Sequence, residues 1–176
     1  MATVESGKPM VDVLEALVQI KALAATPSRI AALVDALAPE RWVRRPRPGV
    51  WAPVEILAHL ADGELFFGAQ GRLVLTTVRP PLQPLDGGAL AERAAYLAWP
   101  PALALERFRT RRGETVELLS SCSVAELGRV GVHPARGEVS VADLVALALA
   151  HDTDHVAQMR ERLGAGLPLD STRGEV

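Results

Sequence analysis

The sequence predicts an all-α protein, a four-helix bundle, and three observations carry that prediction. Apolar residues recur at helical spacing over four long stretches, and no stretch shows a convincing strand pattern. Aromatic residues make up 4% of a chain that is 49% hydrophobic. The core must therefore be built from Leu, Val and Ala, which suit helix packing better than a β-sandwich. Most prolines stand at possible helix starts (Pro27, Pro53, Pro101) or in the connections between stretches, where they punctuate helices.

The first helix is expected over residues 11–37, from the spacing of Val13, Leu14, Leu17, Ile20, Leu23, Ile30, Leu33 and Leu37. Thr26-Pro27 interrupts it with an N-cap residue followed by proline, so a restart or kink is expected there. Residues 41–50 hold Pro46, Pro48 and Gly49 and read as loop. A second helix begins at Pro53 and runs to about residue 78, where Pro80-Pro81 ends it. Residues 80–101 are rich in Pro and Gly, with a turn at Asp86-Gly87-Gly88 and a short helical piece over 90–97. The third long helix is expected over 101–120. A loop marked by Gly128, Gly131, Pro134 and Gly137 follows. Ser140 then caps the last helix, Asp143 supports its first turn, and Gly164 ends it after residue 163.

The chain has 176 residues, which fits one domain over 1–165 and a C-terminal tail over 166–176. The net charge of −2 excludes the basic footprint of a nucleic-acid binder. One basic cluster, Arg107, Arg109, Arg111 and Arg112, reads as a solvated helix end. A single cysteine, Cys122, excludes an internal disulfide and points to a reducing compartment. The N-terminus lacks a signal-peptide pattern, and no run of 18 uninterrupted apolar residues appears. A soluble, cytoplasmic protein without membrane partners is expected.

The informative polar residues are histidines. His151 and His155 stand four apart, about 40° from one another around the last helix. They share their arc with Leu144, Ala148 and Met159, so both rings point where the core stripe points. Two polar rings on an apolar face need partners. Such a pair grips one divalent ion readily, because the neutral imidazole is a common ligand for first-row metals. Separate hydrogen-bonded core histidines are the alternative. His59 occupies a similar apolar face of the second helix with Ile56, Phe66 and Leu73, and Gly63 leaves room beside it. Spacing alone does not bring His59 to the pair.

At this point the sequence resembles a known family, the DinB-like, YfiT-type metal-binding bundle proteins. The resemblance rests on Pro48-Gly49-Val50-Trp51 followed by a helix carrying His59. It rests also on His133-Pro134 with Gly137, and on His151-Asp152-Thr153-Asp154-His155 with Gln158 one turn beyond. It covers roughly residues 10–163. It implies an up-down-down-up four-helix bundle, one divalent ion, typically zinc or nickel, held by His59, His151 and His155, and a homodimer. Relatives often carry serine after the entry tryptophan, where this chain has Ala52.

The resemblance also brings candidate chemistries. Members of the family and its neighbours include transferases of low-molecular-weight thiols, an isomerase and metal-dependent hydrolase candidates. An open three-histidine metal site suits thiol transfer onto a small electrophilic substrate, because a metal holds a thiol as thiolate. The alternatives are a metal-dependent hydrolase, a non-enzymatic metal-stabilised module for stress response or interaction, and a metal-free bundle. Glu55, Asp62, Asp152 and Asp154 are candidates to orient a histidine or move a proton, with Asp62 and Asp152 foremost. His133 reads as a turn residue, Trp51 as a packing anchor at the bundle end, and Gln70 as a ligand contact or bundle-end residue.

Overall fold

Four long helices form the frame in the computed structural model, which describes residues 13–164. They are α1 (Val13–Ala36), α3 (Pro53–Thr76), α5 (Pro101–Ser120) and α7 (Val141–Leu163). Short helices α2 (Pro39–Trp42), α4 (Gly87–Arg93) and α6 (Val124–Leu127) and a 3-10 turn (Tyr96–Ala98) lie in the connections. The expected tail over 166–176 lies outside the described residues.

α3 packs against α5 and α7, and α1 packs against the same two helices. α1 and α3 are therefore diagonal to one another, as are α5 and α7. Residue pairing fixes the directions. Asp62 meets Arg111 and Gly68 meets Thr115, so α3 and α5 run parallel. His59 lies against His155, and Gly63 against His151, so α3 and α7 run antiparallel. Ile30 and Leu33 share a core cluster with Met159 and Leu163, while Ala16 and Ile20 share one with Val141 and Val145. α1 and α7 are thus parallel, and the bundle is up-down-down-up.

Local chemistry explains the helix boundaries. Ser140 Oγ accepts from the Asp143 N–H at 3.0 Å while Asp143 Oδ2 accepts from the Ser140 N–H at 2.9 Å, which starts α7. Gly164 ends it at φ 59°, a conformation glycine adopts without strain. At α3, Ala52 offers no cap oxygen, but Glu55 accepts from its N–H at 2.8 Å. Three expectations need correction. α1 continues through Pro27 as one helix, so it does not restart there. The expected helical piece over 90–97 divides into α4 and the 3-10 turn. The loop before α7 contains an antiparallel hairpin, β1 (Val130–His133) with β2 (Gly137–Ser140), pairing Val130 with Ser140. Its four-residue strands are too short for alternation to register.

Within Glu15–Ala36 the most apolar 18-residue window of α1 has a mean hydropathy of 1.3, a composition that a membrane helix shares. Here its Ala16, Ile20, Leu23, Ile30 and Leu33 are buried in the bundle core.

The apolar core falls into two clusters, one around Trp42, Tyr96 and Phe108 and one around Leu82, Leu119 and Val145. A buried ionic group involves helices on both sides. Arg112 donates to Glu64 Oε2 at 2.7 Å, to both oxygens of Asp152 at 2.6 and 3.0 Å, and to the Leu23 carbonyl at 3.0 Å. Arg112 is 2% exposed. The solvated-helix-end reading fails for this residue, whose partners lie on helices remote in sequence. Burial opposes its charge, but its hydrogen bonds to Asp152 and the charges of Glu64 and Asp152 prevail and raise its pKa.

Because α3 and α5 are parallel neighbours, residues 77–100 must return along the bundle. This crossover is anchored twice. Leu82 N–H donates to the Val132 carbonyl at 2.9 Å and Val132 N–H to the Pro80 carbonyl at 2.8 Å, which sews it to β1. Tyr96, fully buried, donates to Asp62 at 2.8 Å. Between these anchors it passes His59.

Candidate functional site

α3 and α7 bring His59, His151 and His155 together. One ligating nitrogen from each lies within 4.8 Å of the others. His59 Nε2 and His151 Nε2 are 3.0 Å apart. The antiparallel pairing of the helices produces this: α7 presents two rings one turn apart, and α3 presents one ring opposite them.

The surroundings hold the rings in place. Gln158 Oε1 lies 3.1 Å from His155 Nδ1. It accepts a hydrogen bond from Nδ1–H, so the lone pair of His155 resides on Nε2. Trp51 packs on His59 with ring centroids 5.0 Å apart, and Phe67 on His151 at 5.7 Å. Trp51 thus also flanks the site. Gly87 lies against His59 from the crossover: a Cβ there would stand 2.6 Å from Cε1 and 3.0 Å from Nδ1 of the ring. Nδ1 of His59 is buried with no partner among the described residues.

Burial lowers the pKa of all three imidazoles. His59 falls to about 4, through burial and then the neighbouring histidines. His151 also falls to about 4, through burial, His155 and Arg112. His155 is lowered by burial, with Gln158 opposing. At neutral pH the three rings are uncharged and offer lone pairs.

The carboxylates singled out from sequence serve elsewhere. Glu55 is clasped by Arg45 at 2.8 and 2.5 Å at the start of α3. Asp62 accepts from Arg111 at 2.5 Å and from Tyr96. Asp152 faces Arg112. Asp154 is exposed. Among the described residues none of these carboxylates hydrogen-bonds a histidine.

A cavity of about 730 Å³ opens beside the triad. Phe66, Phe67, Leu82, Leu85, Leu144 and Leu147 give it apolar walls. Gln70 and His133 also line it. Gln70 is buried and donates to the Gln83 carbonyl at 2.7 Å. His133 ends β1 just before the hairpin turn, and its Nδ1 accepts from the Ala135 N–H at 3.1 Å. Cys122 lies apart, half-buried, its thiol pKa raised by burial and by Glu126.

The role of the crossover as a wall of the site was not visible in sequence. The Asp86-Gly87-Gly88 sequence speaks for a turn; instead Asp86 caps α4, accepting from the Ala89 N–H at 2.9 Å, and Gly87 in its first turn packs on the ring.

Known proteins place these features in a family. A structure of YfiT from Bacillus subtilis, described as a metal-dependent hydrolase candidate with an unusual four-helix bundle topology, superposes with a TM-score of 0.78. The match covers 91% of this chain and 94% of that one at 20% identity, and it concerns the fold. A metal-dependent hydrolase candidate of Bacillus pumilus is 27% identical over 143 residues, 81% of either chain. The YfiT sequence of Bacillus subtilis strain 168 is 23% identical over 143 residues, 81% of this chain and 80% of its own. The family model for the DinB superfamily matches residues 22–159, a span that takes in most of the bundle and all three converging histidines. On that match, the chain belongs to the DinB superfamily.

Proposed function

We propose that this protein is a metal-dependent enzyme of hydrolytic type, with one divalent ion held by His59, His151 and His155. The convergence of three neutral imidazoles on the edge of an apolar cavity carries this reading. The donor set fits an ion: nitrogens about 2.0–2.1 Å from zinc lie roughly 3.3 Å from one another in a tetrahedral site, close to the 3.0 Å between His59 and His151. Three protein ligands leave a position open. When bound, such an ion supplies Lewis acidity and brings a water or thiol near neutral acidity.

The chain's own residues orient and shield. Gln158 keeps the lone pair of His155 on Nε2. Trp51, Phe67 and Gly87 fix ring planes and exclude water. The apolar walls take up the body of a small substrate. The names of the Bacillus relatives support the hydrolytic reading.

Thiol transfer onto a small electrophile is the second reading. One observation favours it: among the described residues no carboxylate lines the cavity, so none stands ready to take a proton from water. A thiol needs less help, since its pKa is about 8.5. A cytoplasmic setting suits both readings, and there Cys122 stays reduced.

The test is elemental analysis of purified protein, followed by ester and amide hydrolysis with and without chelator. About one ion per chain is expected, with hydrolysis lost on chelation and restored by zinc or nickel. A cobalt-loaded sample that shows a thiolate charge-transfer band with a small thiol, and no hydrolysis, would replace the first reading by the second. Protein free of metal after mild purification would overturn both.

Gly87→Ala supplies a further prediction. Gly87 has no positive φ, so its backbone accepts alanine, but the methyl would overlap the buried His59 ring and should cost about 1–3 kcal/mol of unfolding free energy. The added methyl must displace His59. Metal affinity, read by competition with a chelating dye, should drop by about tenfold or more, as for other residues that orient a ligand.

A further inference from the structure

The cavity is longer than a reacting bond requires. It follows α3 from His59 to Gln70 and α7 from His155 back to Leu144. Eleven residue steps of helix correspond to about 16 Å. From the triad it reaches the hairpin, where His133, Arg136 and Val139 line it.

Charge along this length is one-sided. Histidines aside, Arg136 is the one ionised side chain among those lining the cavity, and no carboxylate lines it. Arg136 is exposed, and among the described residues it makes no ion pair or side-chain hydrogen bond. Glu138, two residues on, is already paired with Arg79. His133 adds a donor beside it: with Nδ1 accepting from Ala135, the ring proton of the neutral form sits on Nε2. At the end of the α3 wall remote from the triad, Gln70 spends its amide N–H on Gln83, which leaves Oε1 as an acceptor.

We propose that the substrate is an elongated apolar molecule ending in one carboxylate, which rests between Arg136 and His133 while the opposite end reaches the histidine triad. The guanidinium and imidazole donors select the anion. The Phe and Leu walls select the body, and the length of the cavity separates the anion from the reacting group. This deepens the metal-enzyme reading and rests on it for what happens at the histidine end.

Calorimetric titration of the purified protein with octanoate and with 1-octanol tests the idea, using wild type and Arg136→Gln. Arg136 is exposed in a turn, so the variant should fold normally. Octanoate should bind wild type about tenfold more tightly than octanol, the worth of a charge-assisted hydrogen bond. Arg136→Gln should remove most of that preference and leave octanol unchanged. Equal binding of the two probes to wild type, or no binding of either, would overturn the proposal. So would an octanoate preference that survives in Arg136→Gln, because the carboxylate would then bind at the histidines. Metal content measured on the same samples separates the two readings. An Arg136-dependent preference in metal-free protein would sink the metal reading alone; a metal-replete protein without the preference would sink this inference alone.

Discussion

Arg112→Ala is expected to lower the unfolding free energy by about 3–5 kcal/mol, the usual penalty for removing one partner of a buried ionic group. The residue is 2% exposed and satisfies Glu64 and Asp152, both themselves buried. Without it, two carboxylates share a low-dielectric interior and no counter-charge. A typical domain has a stability of only about 5–15 kcal/mol, so the variant approaches the threshold of folding. Its deficit should depend on pH in a definite direction. The penalty is that of burying carboxylate charge without a counter-charge, and protonation removes it. The charge penalty is then absent below about pH 4 and grows as pH rises and the unfolded chain ionises. Urea unfolding of variant against wild type should therefore show a smaller difference at about pH 4.5 than at pH 7. A difference that does not change with pH would mean that lost packing against Phe108, over which the guanidinium lies at 4.8 Å, dominates instead. Replacing all three residues with apolar ones of similar volume should be near neutral or stabilising, since desolvation then disappears with the charges. If Arg112→Ala does not fold, the triple variant still tests the point.

The second large effect is expected at His151. His151→Ala removes one of three imidazoles and should abolish stoichiometric metal, while His133→Ala, at the far end of the cavity, should keep it. The difference is readable as stability. An ion present at 100 times its Kd contributes about 2.7 kcal/mol, and in a domain of this size 1 kcal/mol shifts Tm by about 2–4 °C. Chelator should thus lower the wild-type Tm by about 5–10 °C and leave His151→Ala unmoved. Metal retained by His151→Ala would dissolve the triad, whatever the fate of the bundle.

How much of this was legible in the sequence depends on how far each signal reaches. The ends of α5 and α7 were legible because their causes are local: proline at the first position of α5, the Ser140–Asp143 box, and Gly164 past the end. The convergence of His151 and His155 was legible because one turn of helix separates them. His59 joined them only by resemblance, since its partners lie 92 and 96 residues away. Arg112 was misread for the same reason. Four arginines in six residues describe a solvated surface unless Glu64, 48 positions earlier, and Asp152, 40 positions later, are known to face one of them. The hairpin escaped notice because a strand of four residues has no period to detect. At Pro27 tertiary packing on both sides holds α1 together where propensity alone would allow a restart.

The diagonal arrangement of the helices bears on how the chain acquires its structure. In an up-down-up-down bundle each consecutive pair is an antiparallel hairpin that can form while the rest is still being synthesised. Here α1 and α3 are not neighbours, α5 and α7 are not neighbours, and α3 and α5 lie side by side only after a crossover. The first helix finds its parallel partner in the last, more than a hundred residues on. Such a topology has high contact order, so it should fold more slowly than a bundle of equal length built from hairpins. Neither half of the core closes until α7 has left the ribosome, and the histidines of α7 arrive last.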